Sequence, residues 1–262
     1  RKCRRMMDAE AHIEEKRQAA LRKRSQLKRQ RMDECRARVL AITGASTSGK
    51  TTLTRRLCES LKVDGLKVAY VEQDKHRTSH KENTFNGRRT WEGPQFTDWP
   101  RLHSTVASAA TSGLGELGTA FDVVLVEGYT LLDCIERAPE LGRLIDGIVW
   151  VESTQEQCVQ RRSGFPSAAK YKNGWPSVER YAAECVWPTH VEYERRAAPV
   201  LAAASKCIRL PPHEGVEERA RRAHRVVREW LAGGVGGGVG GSVGGSGGGS
   251  GGGSGGGSGG GS

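Results

Sequence analysis

The segment from Gly44 to Thr52, GASTSGKTT, constrains the fold of this chain more than any other feature. It fits the pattern G-x-x-x-x-G-K-[ST], in which glycines let successive backbone N–H groups turn toward phosphate oxygens. The run before it, Val39–Thr43, is apolar and β-branched like a buried strand, and the run after it has leucines at helical spacing. A strand, a glycine loop and a helix in this order predict a nucleoside triphosphate site.

The loop residues are predicted to hold ATP together with Mg²⁺. Lys50 can reach the β- and γ-phosphates and is therefore also a candidate catalytic residue, and the hydroxyl of Thr51 can ligate Mg²⁺. The positive end of the following helix adds to the attraction. The predicted ATP-binding residues of the loop are Gly44, Ala45, Ser46, Thr47, Ser48, Gly49, Lys50, Thr51 and Thr52.

Composition divides the chain into three parts. Residues 1–37 hold 13 Lys and Arg against 6 Asp and Glu, so this segment carries +7 of the total net charge of +11. We expect a charged arm that is helical or disordered, and binding of nucleic acid or an acidic surface is the alternative. Residues 233–262 are almost entirely Gly and Ser, which predicts a disordered tail. Residues 38–232 remain, enough for one well-buried domain.

Targeting signals and metal-binding spacings are not evident in the sequence. No apolar run reaches the length of a membrane span, and no charged start precedes an apolar core, so neither a membrane contact nor a signal peptide is expected. The seven cysteines form no C-x-x-C pair, which disfavours zinc and favours reduced thiols. We expect a monomer in the cytoplasm, with the nucleus as the alternative.

Strand and helix signals alternate along residues 38–232. Apolar strands separated by helices predict a parallel sheet covered on both faces. The predicted strands are Val39–Thr43, Lys67–Glu72, Asp122–Val126, Gly147–Val151 and Lys206–Leu210. The predicted helices are Lys50–Val63, Trp99–Ser112, Thr154–Ser163, Ser177–Ala204 and Glu214–Leu231. The loops Ser79–Pro100 and Gly164–Pro176 are long enough to form a substrate site and a lid.

Two carboxylates follow predicted strands at the edge where the glycine loop should lie. Asp74 comes after the second strand, and Glu127 after the third. Parallel sheets place ligand groups at the carboxyl ends of their strands, so Glu127 is a candidate Mg²⁺ ligand and Asp74 a candidate proton acceptor or Mg²⁺ ligand. The alternatives are an exposed glutamate at a strand end and an aspartate that caps a turn.

Ordered motifs along Val39–Leu231 resemble nicotinamide riboside kinases, within the uridine-kinase-like P-loop nucleoside kinases. Besides the glycine loop, they are EQDKH (Glu72–His76), TWEGP (Thr90–Pro94), VLVEGYTLLD (Val124–Asp133), CVQRRS (Cys158–Ser163) and CVWPTHVEYERR (Cys185–Arg196). The resemblance implies an α/β fold of three layers. In this P-loop kinase fold, helices and a small lid flank a five-stranded parallel sheet of order 2-3-1-4-5.

The resemblance also implies roles for individual residues. Asp74 would accept the proton of the substrate hydroxyl. The metal-associated positions would be Thr51, Asp74 and Glu127. The substrate-binding positions would be Asp74, Trp91, which stacks on the base, Glu92, which binds ribose hydroxyls, and Arg162, while Arg161 would lie near the ATP phosphates.

The chain departs from this family after the arginine pair. Gly164 and Phe165 stand where another Arg and a Tyr are usual, so Phe165 and Tyr171 are both candidates for a second aromatic contact to the base. Glu92 stands where the family usually has Asp and reaches one methylene further. These differences concern the choice of base more than phosphoryl transfer.

The expected activity is phosphorylation of the 5′-hydroxyl of nicotinamide riboside by ATP, a salvage step of NAD biosynthesis. A kinase of uridine, cytidine or another nucleoside is one alternative. A non-catalytic nucleotide-binding protein whose basic arm binds nucleic acid is another. The expected partners are a small nucleoside and ATP, with nucleic acid contacted only through the arm.

Overall fold

Five parallel strands form the central sheet of the domain. The structure, a computed structural model, describes residues 15–19, 21–24, 36–78, 83–85, 87–90, 92–112, 121–164 and 175–233. Residues 15–19 and 21–24 of the arm are helical and exposed. The rest of residues 1–35, the predicted tail after residue 233, and most of the loop Gly164–Pro176 lie outside the described residues. Among the helices that the structure does describe, none is long and apolar enough to cross a membrane.

The sheet confirms the predicted α/β class. Its strands and those of a separate hairpin are β1 (Arg38–Gly44), β2 (Val68–Glu72), β3 (Asn83–Phe85), β4 (Arg88–Thr90), β5 (Val123–Gly128), β6 (Ile145–Val151) and β7 (Cys207–Leu210). The sheet order is β2-β5-β1-β6-β7, and β3 and β4 pair antiparallel outside it. The hairpin β3–β4 was not predicted. When the five parallel strands are numbered without it, their order is the predicted 2-3-1-4-5.

Helices cover the sheet, and most of the predicted helices begin and end within two residues of their predicted bounds. They are α1 (Lys50–Val63), α2 (Trp99–Thr111), α3 (Cys134–Arg137), α4 (Pro139–Leu144), α5 (Gln155–Ser163), α6 (Val178–Tyr181), α7 (Trp187–Ala203) and α8 (Val216–Ala232). The short helices α3 and α4 were not predicted. Side chains of Asp98, Thr154 and Ser177 cap α2, α5 and α6 by accepting backbone N–H groups.

The predicted helical stretch Ser177–Ala204 is helical from Val178 to Ala203, but it contains a π-helical turn that was not predicted. A π-helical turn, Ala182–Val186, separates α6 from α7, and Pro188 stands in the first turn of α7. Pro188 has no N–H to donate to the preceding turn and its ring crowds that turn, which favours the wider π-helical turn there; Pro199 stands inside α7 without ending it. Pro188 was the available sequence signal for the π-helical turn.

Alternation along β1 divides the core between the two faces of the sheet. Leu40 and Ile42 pack with the leucines of α1 and with Val227 of α8. Val39 and Ala41 pack on the other face, where α2 and α4 contribute apolar side chains such as Leu102 and Leu141. Burial on both faces fixes β1 in the centre, so the loop that follows it is held at the carboxyl edge of the sheet.

Candidate functional site

A cavity of about 780 Å³ opens at the carboxyl edge of the sheet. It brings together residues from the glycine loop, the ends of β2 and β5, the loop before α2, and the last turn of α5. The predicted site residues that line it are Ser46, Thr47, Gly49, Lys50, Thr51, Thr52, Asp74, Glu92, Glu127, Arg161 and Arg162. Gly44, Ala45 and Ser48 form the buried back of the same loop. Trp91 lies outside the described residues.

Gly44 can only be a glycine at the start of the loop. Its φ of 144° lies in the region that other residues avoid, and a Cβ at this position would lie 2.1 Å from the carbonyl oxygen of Val151. The loop then tightens through a hydrogen bond of 3.1 Å from the Ser48 N–H to the Ala45 carbonyl. Thr47 also has a positive φ, 62°, although it is not a glycine, a strain typical of ligand-binding loops.

Lys50 is held inside the loop. Its Nζ donates to the Ala45 carbonyl at 2.6 Å, and the side chain is buried. Burial lowers the pKa of Lys50, and the negative charges of Glu127 and Asp74 act in the opposite direction. The ammonium group therefore lies in a partly desolvated site, where its attraction for an anionic ligand is little weakened by water and is opposed by the nearby carboxylates until a cation neutralises them.

Glu127 joins the glycine loop to the sheet. The Thr51 hydroxyl donates to Glu127 Oε2 at 3.2 Å, and the Tyr70 hydroxyl donates to the same oxygen at 3.3 Å. Burial raises the pKa of Glu127, as does the nearby charge of Asp74, whereas Lys50 lowers it. A hydroxyl and a carboxylate oxygen this close are hard donors of the kind that Mg²⁺ prefers, so these residues fit the ion.

No cluster of three or more His, Cys, Asp or Glu side chains suited to a metal occurs in the described parts of the chain. Mg²⁺ in phosphate-transfer sites usually needs only one or two carboxylates, because substrate phosphates and water complete its shell. Thr51 and Glu127, with Asp74 in the same cavity, are therefore a sufficient protein contribution.

Asp74 lies in the 3₁₀ turn Gln73–His76, directly after β2. Its side chain is 72% exposed and forms an ion pair with Arg77, whose Nη2 and Nε donate to Oδ1 at 2.9 and 3.1 Å. Arg77 also lines the cavity, and sequence analysis missed it. The spacing of three residues between opposite charges in a helical turn was the available signal.

Glu92 and Arg162, both predicted to contact substrate, contact each other. Arg162 Nη2 donates to Glu92 Oε1 at 2.9 Å, and both side chains are buried. Arg162 Nη1 donates to the Ser46 hydroxyl at 2.8 Å, so one guanidinium links the acidic side chain to the glycine loop. A buried ion pair needs further hydrogen bonds to offset its desolvation, and Ser46 supplies one of them.

Tyr181 lies beside this pair and was not predicted as a site residue. Its hydroxyl donates to Glu92 Oε1 at 3.1 Å, and its ring lies 5.0 Å from the guanidinium carbon of Arg162. Tyr181 therefore contacts both members, one by a hydrogen bond and the other by a cation–π contact. It is the last residue of α6, where the π-helical turn begins, and nothing in its local sequence marks it.

Arg161 and Arg162 stand in the last turn of α5. The negative end of the helix dipole favours cations at this place. Arg161 is exposed and donates to the Thr47 carbonyl at 3.3 Å. The two arginines thus contact the glycine loop at Ser46 and Thr47, and all four residues line the cavity.

Comparison with known proteins gives partial sequence matches. The family model described as MobB, molybdopterin guanine dinucleotide synthesis protein B, matches residues 39–94. A uridine kinase of Deinococcus deserti is 38% identical over 68 residues, which are 25% of this chain and 32% of that protein. This chain therefore matches about a third of the length of that relative.

Solved structures with a similar arrangement share little sequence. A possible uridine kinase from Bacillus stearothermophilus aligns with a TM-score of 0.42 and 19% identity, over 66% of this chain and 88% of that chain. A sugar kinase from Janibacter sp. HTCC2649 aligns with a TM-score of 0.44 and 16% identity, over 75% and 97%. Similarities of this strength support no conclusion about activity.

Proposed function

We propose that this chain is an ATP-dependent nucleoside kinase that phosphorylates the 5′-hydroxyl of nicotinamide riboside, giving nicotinamide mononucleotide and ADP. The observation that carries the proposal is a single cavity that holds a phosphate-binding loop, two acidic strand ends and a buried Glu92–Arg162 pair. Phosphoryl transfer to an alcohol needs these parts: a grip on the triphosphate, ligands for Mg²⁺ and groups that hold the acceptor.

The glycine loop and Lys50 hold the triphosphate in this proposal. Lys50 exchanges its bond to the Ala45 carbonyl for phosphate oxygens, which are better partners because they are charged. Thr51 and Glu127 hold Mg²⁺, with Asp74 nearby. The ion, when bound, neutralises charge that develops on the phosphates.

Asp74 accepts the proton of the attacking hydroxyl. Its exposed carboxylate lines the cavity, and Arg77 orients it by binding Oδ1 with two N–H groups. A base of this kind typically contributes a factor of about 10² to 10⁴ to the rate. Arg161 lies over the loop and shields the transferred group from water.

Glu92 accepts hydrogen bonds from hydroxyls of the acceptor sugar. Arg162 and Tyr181 both donate to its Oε1, which fixes the carboxylate against the cavity wall before the acceptor arrives. Trp91, the residue before Glu92, stacks on the base, and a cationic nicotinamide ring would gain a cation–π attraction from it.

Uridine is the second candidate acceptor. The match to a uridine kinase at 38% identity favours it, although that match covers about a third of the relative. The two acceptors share the ribose and the 5′-hydroxyl, so the groups around Glu92, Asp74 and the glycine loop serve both. They differ in the base, uncharged in uridine and cationic in nicotinamide riboside.

The test compares nicotinamide riboside, uridine and cytidine as acceptors, with ADP formation measured at equal enzyme, ATP and Mg²⁺. We expect the highest kcat/KM for nicotinamide riboside. A higher value for uridine would reassign the acceptor, and ATP binding with no turnover on any of the three would refute the kinase and favour a non-catalytic nucleotide-binding protein.

Replacement of Asp74 by Asn tests the chemistry. We expect kcat to fall by about 10² to 10⁴ while the dissociation constant for ATP changes little, because the lost group acts on the acceptor proton. Glu59→Gln is the matched control, since it removes one negative charge from an exposed position of α1 outside the cavity. If Asp74→Asn had the same kcat as the Glu59→Gln control, Asp74 would not be the proton acceptor.

A further inference from the structure

Arg219, in the first part of α8, binds three backbone carbonyls from three different segments. Its Nη1 donates to the Ser48 carbonyl of the glycine loop at 3.1 Å. Its Nη2 donates to the Glu152 carbonyl after β6 at 3.3 Å. Its Nε donates to the Pro211 carbonyl after β7 at 2.9 Å, and Nη2 contacts the same oxygen at 2.6 Å. One side chain thus connects the loop to the ends of two strands.

The charge of Arg219 is buried without an acidic partner in direct contact. The residue is only 4% exposed, and in the described part of the chain its hydrogen bonds go to carbonyl oxygens. Burial, and then the positive charge of Arg161, lower the pKa of Arg219. A desolvated cation is costly to keep, and here it lies directly behind a loop built to receive anions.

The bond to Ser48 fixes the direction of the next N–H group. The peptide unit between Ser48 and Gly49 is planar and trans, so its carbonyl and its N–H point in opposite directions. Arg219 holds the carbonyl on the buried side of the loop, where Ser48 is almost fully enclosed. Gly49, on the other side, lines the cavity. The Gly49 N–H is therefore turned away from Arg219 and toward the ligand side.

We propose that Arg219 is a positioning residue of the glycine loop, which it sets in the conformation that binds the phosphates of a nucleoside di- or triphosphate. This inference rests on the proposed function only in that the loop binds a nucleotide. Helix α8 thereby takes part in the site at two places, since Val216, at its first turn, lines the cavity. The loop depends on a residue 171 positions away in the sequence.

The test measures binding, by calorimetry with the full chain, of ATP and of inorganic pyrophosphate in the presence of Mg²⁺. Arg219→Met removes the charge and all donors, whereas Arg219→Lys keeps the charge but can no longer bridge three carbonyls. Arg222→Met is the matched control, because it removes a guanidinium one turn further along, where it binds Glu214 instead of the loop.

We expect Arg219→Met to weaken binding of both ATP and pyrophosphate by about tenfold or more, and Arg219→Lys by about three- to tenfold. Arg222→Met should bind both within about twofold of the unaltered chain. Because pyrophosphate has no base, a loss confined to ATP would overturn the proposal, as would folded Arg219 variants that bind pyrophosphate within twofold of the control. If Arg219→Met does not fold, the same comparison on Arg219→Lys decides.

The outcome separates this inference from the proposed kinase. If the unaltered chain binds ATP but phosphorylates no nucleoside, and the Arg219 variants bind ATP more weakly as expected, the positioning role is supported and the kinase is refuted. An unaltered chain that binds neither ATP nor pyrophosphate would overturn the inference itself.

Discussion

Replacement of His190 by Phe should reduce the dependence of stability on pH. The ring is 3% exposed, and its Nδ1 has no hydrogen-bond partner within the residues that the structure describes. It stacks on Trp150 at a centroid distance of 6.0 Å and lies near the rings of Tyr129 and Tyr193. Burial, and then the positive charge of Lys50, lower the pKa of His190 from 6.5 to about 4.

The magnitude follows from the two pKa values. Between pH 6.5 and pH 4 the unfolded chain binds a proton at His190 that the folded protein does not bind. The stabilising contribution of the neutral ring is therefore complete above pH 6.5 and is lost as the pH falls toward 4. The full loss corresponds to about 3 kcal/mol, of which about 2 kcal/mol falls between pH 7 and pH 5.

The assay is urea unfolding at pH 7 and at pH 5, for the unaltered chain and for His190→Phe. We expect the unaltered chain to lose about 2 kcal/mol more than the variant between these two values, because phenylalanine fills a similar volume and does not titrate. Buried carboxyls such as Glu127 and Asp133, whose pKa values are raised by burial, titrate in both proteins and cancel in the difference.

A control and a refuting result complete this prediction. His213→Gln, in the exposed segment before α8, should behave like the unaltered chain because it leaves the buried rings around His190 unchanged. If the unaltered chain and His190→Phe lost the same free energy within about 0.5 kcal/mol, His190 would not be neutral and desolvated in the folded protein, and the reasoning would be wrong.

Two further substitutions test the loop and the acceptor side. Gly44→Ala should lower the free energy of unfolding by roughly 3 kcal/mol, because its Cβ would overlap the Val151 carbonyl. Gly215→Ala meets nothing within 4 Å and should lower it by no more than about 1 kcal/mol in the same urea titration, the cost of alanine at the N-cap of α8. Tyr181→Phe should raise the KM for the nucleoside about tenfold and leave that for ATP unchanged, because the variant lacks the hydroxyl that binds Glu92 and Thr90 and keeps the ring. Equal rises in both KM values would contradict the second prediction.

Local patterns sufficed for the parts of the fold that are encoded locally. The helix Lys50–Val63 has the bounds that its leucine spacing and the preceding Gly49 predict, and β1 differs from its predicted bounds by one residue at each end. These segments bury apolar faces on a regular period. The hairpin β3–β4 was not predicted because strands of three residues have too few positions to show an alternation of apolar and polar side chains.

The candidate site was only partly predictable because its contacts join distant residues. Glu92 and Arg162 could each be named as polar residues that face a ligand, but their pairing spans 70 positions. Arg219 is one of several arginines in α8, and its sequence neighbours do not distinguish it from them. Only the packing of α8 against α1 brings it to the glycine loop. A sequence shows which residue types are present, whereas the residues that each side chain contacts depend on the completed fold.

The central place of β1 has a consequence for how the chain folds during synthesis. Leu40 pairs with Leu125 on one side and Ile42 with Val149 on the other, so both neighbours of β1 are made more than 80 residues later. The nascent chain therefore exposes an apolar strand, with its glycine loop unsupported, until β5 and β6 have been synthesised. Pairing across such distances is slow, and an unpaired strand of this kind is the point at which chaperones and aggregation compete.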